Sequence, residues 1–174
     1  GEYNALAAYA EVLSLEAVLE IVYVRGLTMH RFVERDADGV SRYGLGALRP
    51  HTMGMHADEV EDFVAETSEA TGEFLEVVNY NVQGRQYALA GTIDGLAAIA
   101  QNAEYRAPGK RAFVPIPGVD VPFHSSRLLG GVEDFRSHLE ELIPQGIDLS
   151  VLVGRYVPNL VARPFSLDRE FVEA

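Results

Sequence analysis

Apolar side chains crowd nearly every face of a helical projection of the opening stretch. From Ala5 to about Glu34, the residues Leu6, Leu13, Leu15, Val18, Leu19, Ile21 and Val22 leave only a narrow polar edge of Glu11, Glu16 and Glu20. A helix that is apolar on most faces is expected to be buried inside something larger. Ser14 is placed to cap a start within this stretch, with Glu16 in the first turn after it. The glutamates also keep the run short of the roughly 18 uncharged residues that a membrane span needs.

The period changes after Arg35-Asp36-Ala37-Asp38-Gly39, whose residues tolerate left-handed backbone or bond their own main chain. Tyr43 to Arg49 reads as a short strand. Ala57 to Ala70 reads as a helix with Val60, Phe63, Val64 and Thr67 on one face, closed by Gly72. Phe74 to Val82 and Gln86 to Ala90 alternate as strands around Gln83-Gly84-Arg85, which predicts a hairpin. Thr92 caps a helix through Ala103, with Asp94 in its first turn, and Arg111 to Ile116 follows Pro108-Gly109 as a last strand. The order is βαββαβ, the ferredoxin-like pattern, over Tyr43 to Ile116.

Beyond it, Gly118 to Arg127 is a loop that carries His124. Val132, Phe135, Leu139 and Leu142 mark an amphipathic helix ended by Pro144. Leu149 to Val153 is β-like, and Pro158 and Pro164 bracket an irregular loop. No internal repeat or low-complexity segment interrupts the chain. The expected fold class is α/β: an incomplete body formed by residues 1–42 and 117–174, carrying a ferredoxin-like subdomain at residues 43–116.

Composition narrows the function classes. With 48% hydrophobic and 23% charged residues, the chain has a globular profile. A net charge of −12, with Lys110 as the single lysine, argues against a nucleic-acid partner, because phosphate binding needs clustered cations. Arg155, Arg163 and Arg169 read as solvated surface. There is no cysteine, hence no disulfide framework or thiolate metal site, and no basic segment with a small-residue cleavage site opens the chain; both fit a cytoplasmic protein. His30, His51, His56 and His138 lack metal-ligand spacing with acidic partners, and Asp58-Glu59-Glu61-Asp62 suits a solvated helix start.

Several short motifs occur in a telling order. Gly1-Glu2-Tyr3-Asn4-Ala5-Leu6 resembles the residues that follow the serine of the acyltransferase elbow G-H-S-x-G-E-Y. After it come Arg25-Gly26-Leu27-Thr28-Met29-His30, Asn79-Tyr80-Asn81-Val82 and Val121-Pro122-Phe123-His124-Ser125. Together with Ser41-Arg42-Tyr43-Gly44, Leu75 to Val82 and Gly154 to Leu160, they resemble the malonyl/palmitoyl transferase region of fungal-type multifunctional fatty acid synthases and their bacterial single-chain relatives. The resemblance covers practically the whole chain. It implies an α/β-hydrolase-like acyltransferase core with a ferredoxin-like subdomain. By that alignment Gly1 is the elbow's last glycine, so the nucleophilic serine is expected two residues before it. No complete G-x-S-x-G occurs in the chain, and the segment alone is expected to be inactive.

The resemblance also assigns roles. His124 would be the base that takes and returns the serine proton, since neutral imidazole suits that exchange; the bland reading is a satisfied loop histidine. Arg25 would hold a malonyl carboxylate, which a planar guanidinium fork matches; the alternative is an arginine snorkelling from a buried helix. Met29 lies four residues on, along the same face. Gly26 either leaves room for a ligand beside them or ends the helix. Phe123 is a pocket wall or a core residue. Asn81 is a pocket asparagine or local strand-end chemistry.

The implied activity is malonyl transfer, with long acyl chains as a further substrate, between coenzyme A and the phosphopantetheine arm of an acyl carrier protein in fatty acid synthesis. The implied partners are malonyl-CoA, acyl-CoA, the acyl carrier domain and the remainder of the synthase, with no permanently bound cofactor or metal and no membrane. The rival reading is a non-catalytic ferredoxin-like binding or scaffold module within a large synthase, since that fold serves many functions. A generic hydrolase is disfavoured, because it has no use for Arg25 as a carboxylate clamp.

Overall fold

In the computed structural model, which describes residues 2–172, the opening apolar stretch forms two helices, the second beginning after Ser14. These are α1 (Glu2–Ala8) and α2 (Leu15–Arg31). The break contains Glu11, whose φ of 55° is left-handed and incompatible with a continuing helix. Ser14 Oγ then accepts the Ala17 N–H at 3.1 Å, starting α2 where a cap was expected. Within the described residues, only one stripe of this helix is covered. Of α2, Val18 and Ile21 are buried, while Leu15 (65%) and Tyr23 (67%) stay largely exposed beside Leu19 and Val22.

The next elements follow the predicted order: β1 (Tyr43–Leu48), α3 (Val60–Thr71), β2 (Leu75–Val82), β3 (Gln86–Thr92), α4 (Ile93–Arg106) and β4 (Phe113–Ile116). The strands form one sheet in the order β2-β3-β1-β4, and every neighbouring pair is antiparallel. Gly72, at φ 70°, closes α3 by donating its N–H to Ser68 O. Thr92 caps α4 by accepting the Gly95 N–H at 3.2 Å. The β2–β3 pairing loses its regular register after Val77, where bulges let the strand bend.

Alternation decides what each face of this sheet touches. Leu48 of β1 and Leu89 of β3 point to α3 and α4, where Val60, Val64 and Ile99 meet them in a core with almost no exposure. Each such side chain contributes about 1.5–3 kcal/mol on burial. Tyr43, Leu45 and Ala47 alternate to the opposite face. There Tyr43 packs with Val33 and Val121 in a second apolar cluster.

Two compact units divide the chain: Met29–Val132, just described, and the residues up to Thr28 together with those from Glu133 onward. In this other unit, Phe135, Leu139 and Leu142 of α5 (Val132–Leu142) pack on Leu13, Val18 and Ile21. Leu149–Leu152 is a 3-10 helix where a β-like run was expected. The Asp148 carboxylate accepts the Ser150 N–H at 2.9 Å, and this local cap outweighs the β preference of the valines. Glu2 accepts both the Tyr156 hydroxyl and the Asn159 N–H at 2.8 Å, tying the ends of the unit together. Burial, then the bond to Glu2, pushes the Tyr156 phenol up to about 12. A short α6 (Arg169–Val172) comes last. Among the described residues, no helix is long and apolar enough to cross a membrane.

Candidate active site

The loop after β4 is held to its unit from both ends. Asp120 accepts Arg35 Nη1 at 2.7 Å, and the same nitrogen donates to Gly39 O at 3.0 Å. The loop is thereby tied to the Arg35–Gly39 turn, where Asp36 Oδ1 accepts the N–H groups of Asp38 and Val40. The guanidinium holds the Asp120 carboxyl below its usual range. Val121 and Pro122 are buried, and Phe123 packs with Met29 and Leu128 around Val33, Tyr43 and Val121.

Pro122–Ser125 is a four-residue turn closed by Ser125 N–H to Pro122 O at 3.2 Å. His124 takes its third position with a φ of 63°, the position where a type II turn demands positive φ. That conformation disfavours any residue with a Cβ, and such strain clusters where a side chain must be aimed. The Ser125 hydroxyl, buried, donates to the same Pro122 carbonyl at 2.6 Å. The imidazole of His124 is exposed. Ser126 then bonds Glu76 of β2 through both its N–H and its hydroxyl, each at 2.9 Å, as a 3-10 helix (Ser126–Gly131) begins. Behind it, the Arg127 guanidinium lies 4.6 Å from the centre of the Phe74 ring.

The predicted site residues fall as follows. Met29 and Phe123 are brought into one apolar cluster. Arg25 is half-buried on α2, one turn before Met29, and its guanidinium has no hydrogen-bond or ion-pair partner among the described residues. Gly26 does not end the helix, which continues to Arg31, and nothing lies within 4 Å of where its side chain would start. Asn81 is exposed near the end of β2, and no hydrogen bond of the histidine loop reaches it. Gly1, the expected end of the nucleophile elbow, lies outside the described residues. Among the described residues, no group of three His, Asp or Glu is placed to hold a metal ion.

Sequence reasoning missed the residues that hold the loop. Glu76 lies inside a quoted motif, and its place between Leu75 and Val77 puts it on the face opposite the helices; that alternation was the available signal. Arg35 and Asp120 carried none, being 85 residues apart.

An exposed imidazole on a rigid turn can take a proton from a hydroxyl brought beside it and return it to a leaving group. A free arginine fork can receive a carboxylate. Across 99% of its length, the chain is 32% identical to the fatty acid synthase subunit beta of Saccharomyces cerevisiae. It is 35% identical over the same share to the fatty acid synthase beta subunit TOXC of Cochliobolus carbonum. It spans 11% and 10% of these two proteins. Among solved structures, the acyl-carrier-protein S-malonyltransferase from Burkholderia pseudomallei 1710b aligns with a TM-score of 0.62 at 32% identity, covering 85% of this chain and 41% of that one. No protein-family profile matches.

Proposed function

We propose that this chain, a relative of one segment of the fungal fatty acid synthase beta subunit, contributes the histidine and the carboxylate-binding arginine of a Ser/His acyltransferase that acts in fatty acid synthesis. The observation that carries the reading is His124, exposed at the left-handed position of the Pro-Phe-His-Ser turn, in a chain similar to these subunits from end to end. The likeness to the malonyltransferase supports the acyl group as malonyl.

In this reading, His124 takes the proton of a serine hydroxyl as its oxygen attacks the thioester carbonyl of malonyl-CoA. The carbon–sulfur bond breaks, the proton goes to the coenzyme A sulfur, and a malonyl-serine ester remains. The phosphopantetheine thiol of an acyl carrier protein then attacks that ester, with His124 taking its proton and returning it to the serine. Two easier steps replace one difficult exchange. Arg25 receives the malonyl carboxylate, Met29 and Phe123 form the apolar wall, and Asn81 faces the acyl group from the strand end. Long acyl chains are a further substrate of the complete enzyme, which works in the cytoplasm, and no metal or permanently bound cofactor takes part. The strand order β2-β3-β1-β4 supports a ferredoxin-like subdomain at residues 43–116; residues 1–42 and 117–174 are assigned in this reading to an α/β-hydrolase-like core.

The test is His124→Ala in the complete transferase, read as transfer of labelled malonyl from coenzyme A to acyl carrier protein. The rate falls by about 10²–10⁴, the loss of a general base. Unchanged transfer would reject the reading and favour a binding or scaffold role for the module. The 174-residue chain alone, lacking G-x-S-x-G, forms no acyl-enzyme with labelled malonyl-CoA. Stable labelling of it would place a nucleophile where this reading has none.

A further inference from the structure

We infer that Glu76 is a positioning residue for His124, acting through Ser126; this rests on the Ser/His reading above. His124 holds a backbone conformation that is unfavourable for a non-glycine residue and that persists only where its surroundings impose it. Upstream of His124, packing imposes it: Val121 and Pro122 are buried and Phe123 sits in the apolar cluster around Tyr43. Downstream, Leu128 returns to that cluster, but the residues between, Ser126 and Arg127, are exposed, so polar groups share the work there.

The two serines divide that work. Ser125 occupies the cap position of the 3-10 helix, yet its hydroxyl caps nothing there. It turns back to the Pro122 carbonyl, which accepts both its hydroxyl and its N–H and so closes the turn around His124. The cap is supplied instead from β2, 50 residues earlier in the chain. One oxygen of Glu76, Oε2, accepts the Ser126 N–H and the Ser126 hydroxyl, both at 2.9 Å. Hydrogen bonds to a carboxylate are charge-assisted and stronger than neutral ones. Glu76 stands on a strand whose neighbours Leu75 and Val77 are packed against the core, so the anchor itself is fixed. The closed turn is therefore bolted to the sheet one residue beyond Ser125. Without that bolt, the turn shifts between its apolar contacts at Phe123 and Leu128 and carries the imidazole with it. A displacement near 1 Å at a reacting group can cost on the order of 10²-fold in rate.

The experiment uses the complete transferase and follows malonyl transfer for Glu76→Ala, Glu76→Gln and Ser126→Ala, alone and with His124→Ala. In Glu76→Ala, kcat falls about 10- to 100-fold with KM for malonyl-CoA within about twofold, since aim is lost while the acyl pocket stays. Glu76→Gln restores most of the rate, because its amide oxygen can still accept both Ser126 donors. In the His124→Ala background, Glu76→Ala changes nothing further, there being no imidazole left to aim. Should Glu76→Ala fail to accumulate, Ser126→Ala carries the test: it loses one of the two bonds and lowers kcat with KM held. Wild-type kcat in Glu76→Ala or Ser126→Ala overturns the inference. So does an equal loss from Glu76→Ala with and without His124, which marks a general structural role. If His124→Ala alone leaves transfer intact, the Ser/His reading itself fails and this inference with it. If His124→Ala abolishes transfer while the Glu76 and Ser126 variants are at full rate, the positioning role alone is wrong.

Discussion

A hydrogen bond from Thr92 to Glu73 ties the start of a helix to the approach of a strand. The Thr92 hydroxyl donates to Glu73 Oε2 at 2.6 Å, while its oxygen accepts the Gly95 N–H and caps α4. Arg42 completes the group by donating to the same Glu73 oxygen at 2.8 Å. One hydroxyl thus ends β3, begins α4 and fixes the carboxylate that precedes β2.

Thr92→Val keeps the shape and removes both bonds. Loss of the cap costs about 1 kcal/mol, and urea unfolding of the 174-residue protein at pH 7 shows it as a lower midpoint with unchanged slope. An unaltered midpoint would mean that the cap carries no stability.

The same pair makes stability depend on acid. The bond from Thr92, with Arg42 assisting, holds the Glu73 carboxyl below its ordinary 4.5. A depressed folded value means the contribution is present above pH 4.5 and is lost as pH falls through the lower folded value. The gap in stability between wild type and Thr92→Val therefore narrows as pH drops below 4.5. A gap that stays constant from pH 7 to pH 3 would show that the hydroxyl does not favour the carboxylate.

Gly91 lies where β3 passes closest to the start of β2. A methyl group there would sit 2.8 Å from the Phe74 carbonyl oxygen and 2.6 Å from Leu75 Cδ2. That carbonyl already accepts the Thr92 N–H at 3.0 Å and cannot retreat without losing the bond. Gly91→Ala destabilises by about 1–3 kcal/mol, as overpacking does. A thermal midpoint equal to wild type would show that the strands separate freely at this point.

Arg25 gives a test of acyl selection that is separate from chemistry. In the complete transferase, Arg25→Ala impairs malonyl transfer about 10- to 100-fold more than palmitoyl transfer, the equivalent of losing a hydrogen-bonded charge worth about 1.5–3 kcal/mol to malonyl alone. Lysine rescues in part, keeping the charge without the fork. Equal losses for the two acyl groups would remove Arg25 from carboxylate recognition.

Local chemistry made much of this protein readable from its residues. The spacing of Val60, Phe63, Val64 and Thr67 marked the buried face of α3. Ser14 and Thr92 marked helix starts, and Gly72 a helix end. Periodicity, caps and turns act within a few residues, so a linear pattern carries them. The motifs, kept in order, made His124 and Arg25 the candidates for the site. Where two local preferences competed, the weaker signal was the one read, as at Leu149–Leu152, where the Asp148 cap outweighed β-branched side chains.

Tertiary structure decided what depends on groups far apart in the chain. The turn around His124 is closed locally, by Ser125 on the Pro122 carbonyl, but no local pattern announces its tie to the sheet, because Ser126 bonds Glu76, 50 residues earlier in the chain. The latch of Arg35 on Asp120 spans 85 residues. The apolar surface of α2 was legible, but which part of it this chain covers was not: hydrophobicity states what a side chain favours, and only the neighbours that the fold brings determine whether it is met. Leu15 and Tyr23 remain open to solvent, while Val18 and Ile21 on the same helix are buried.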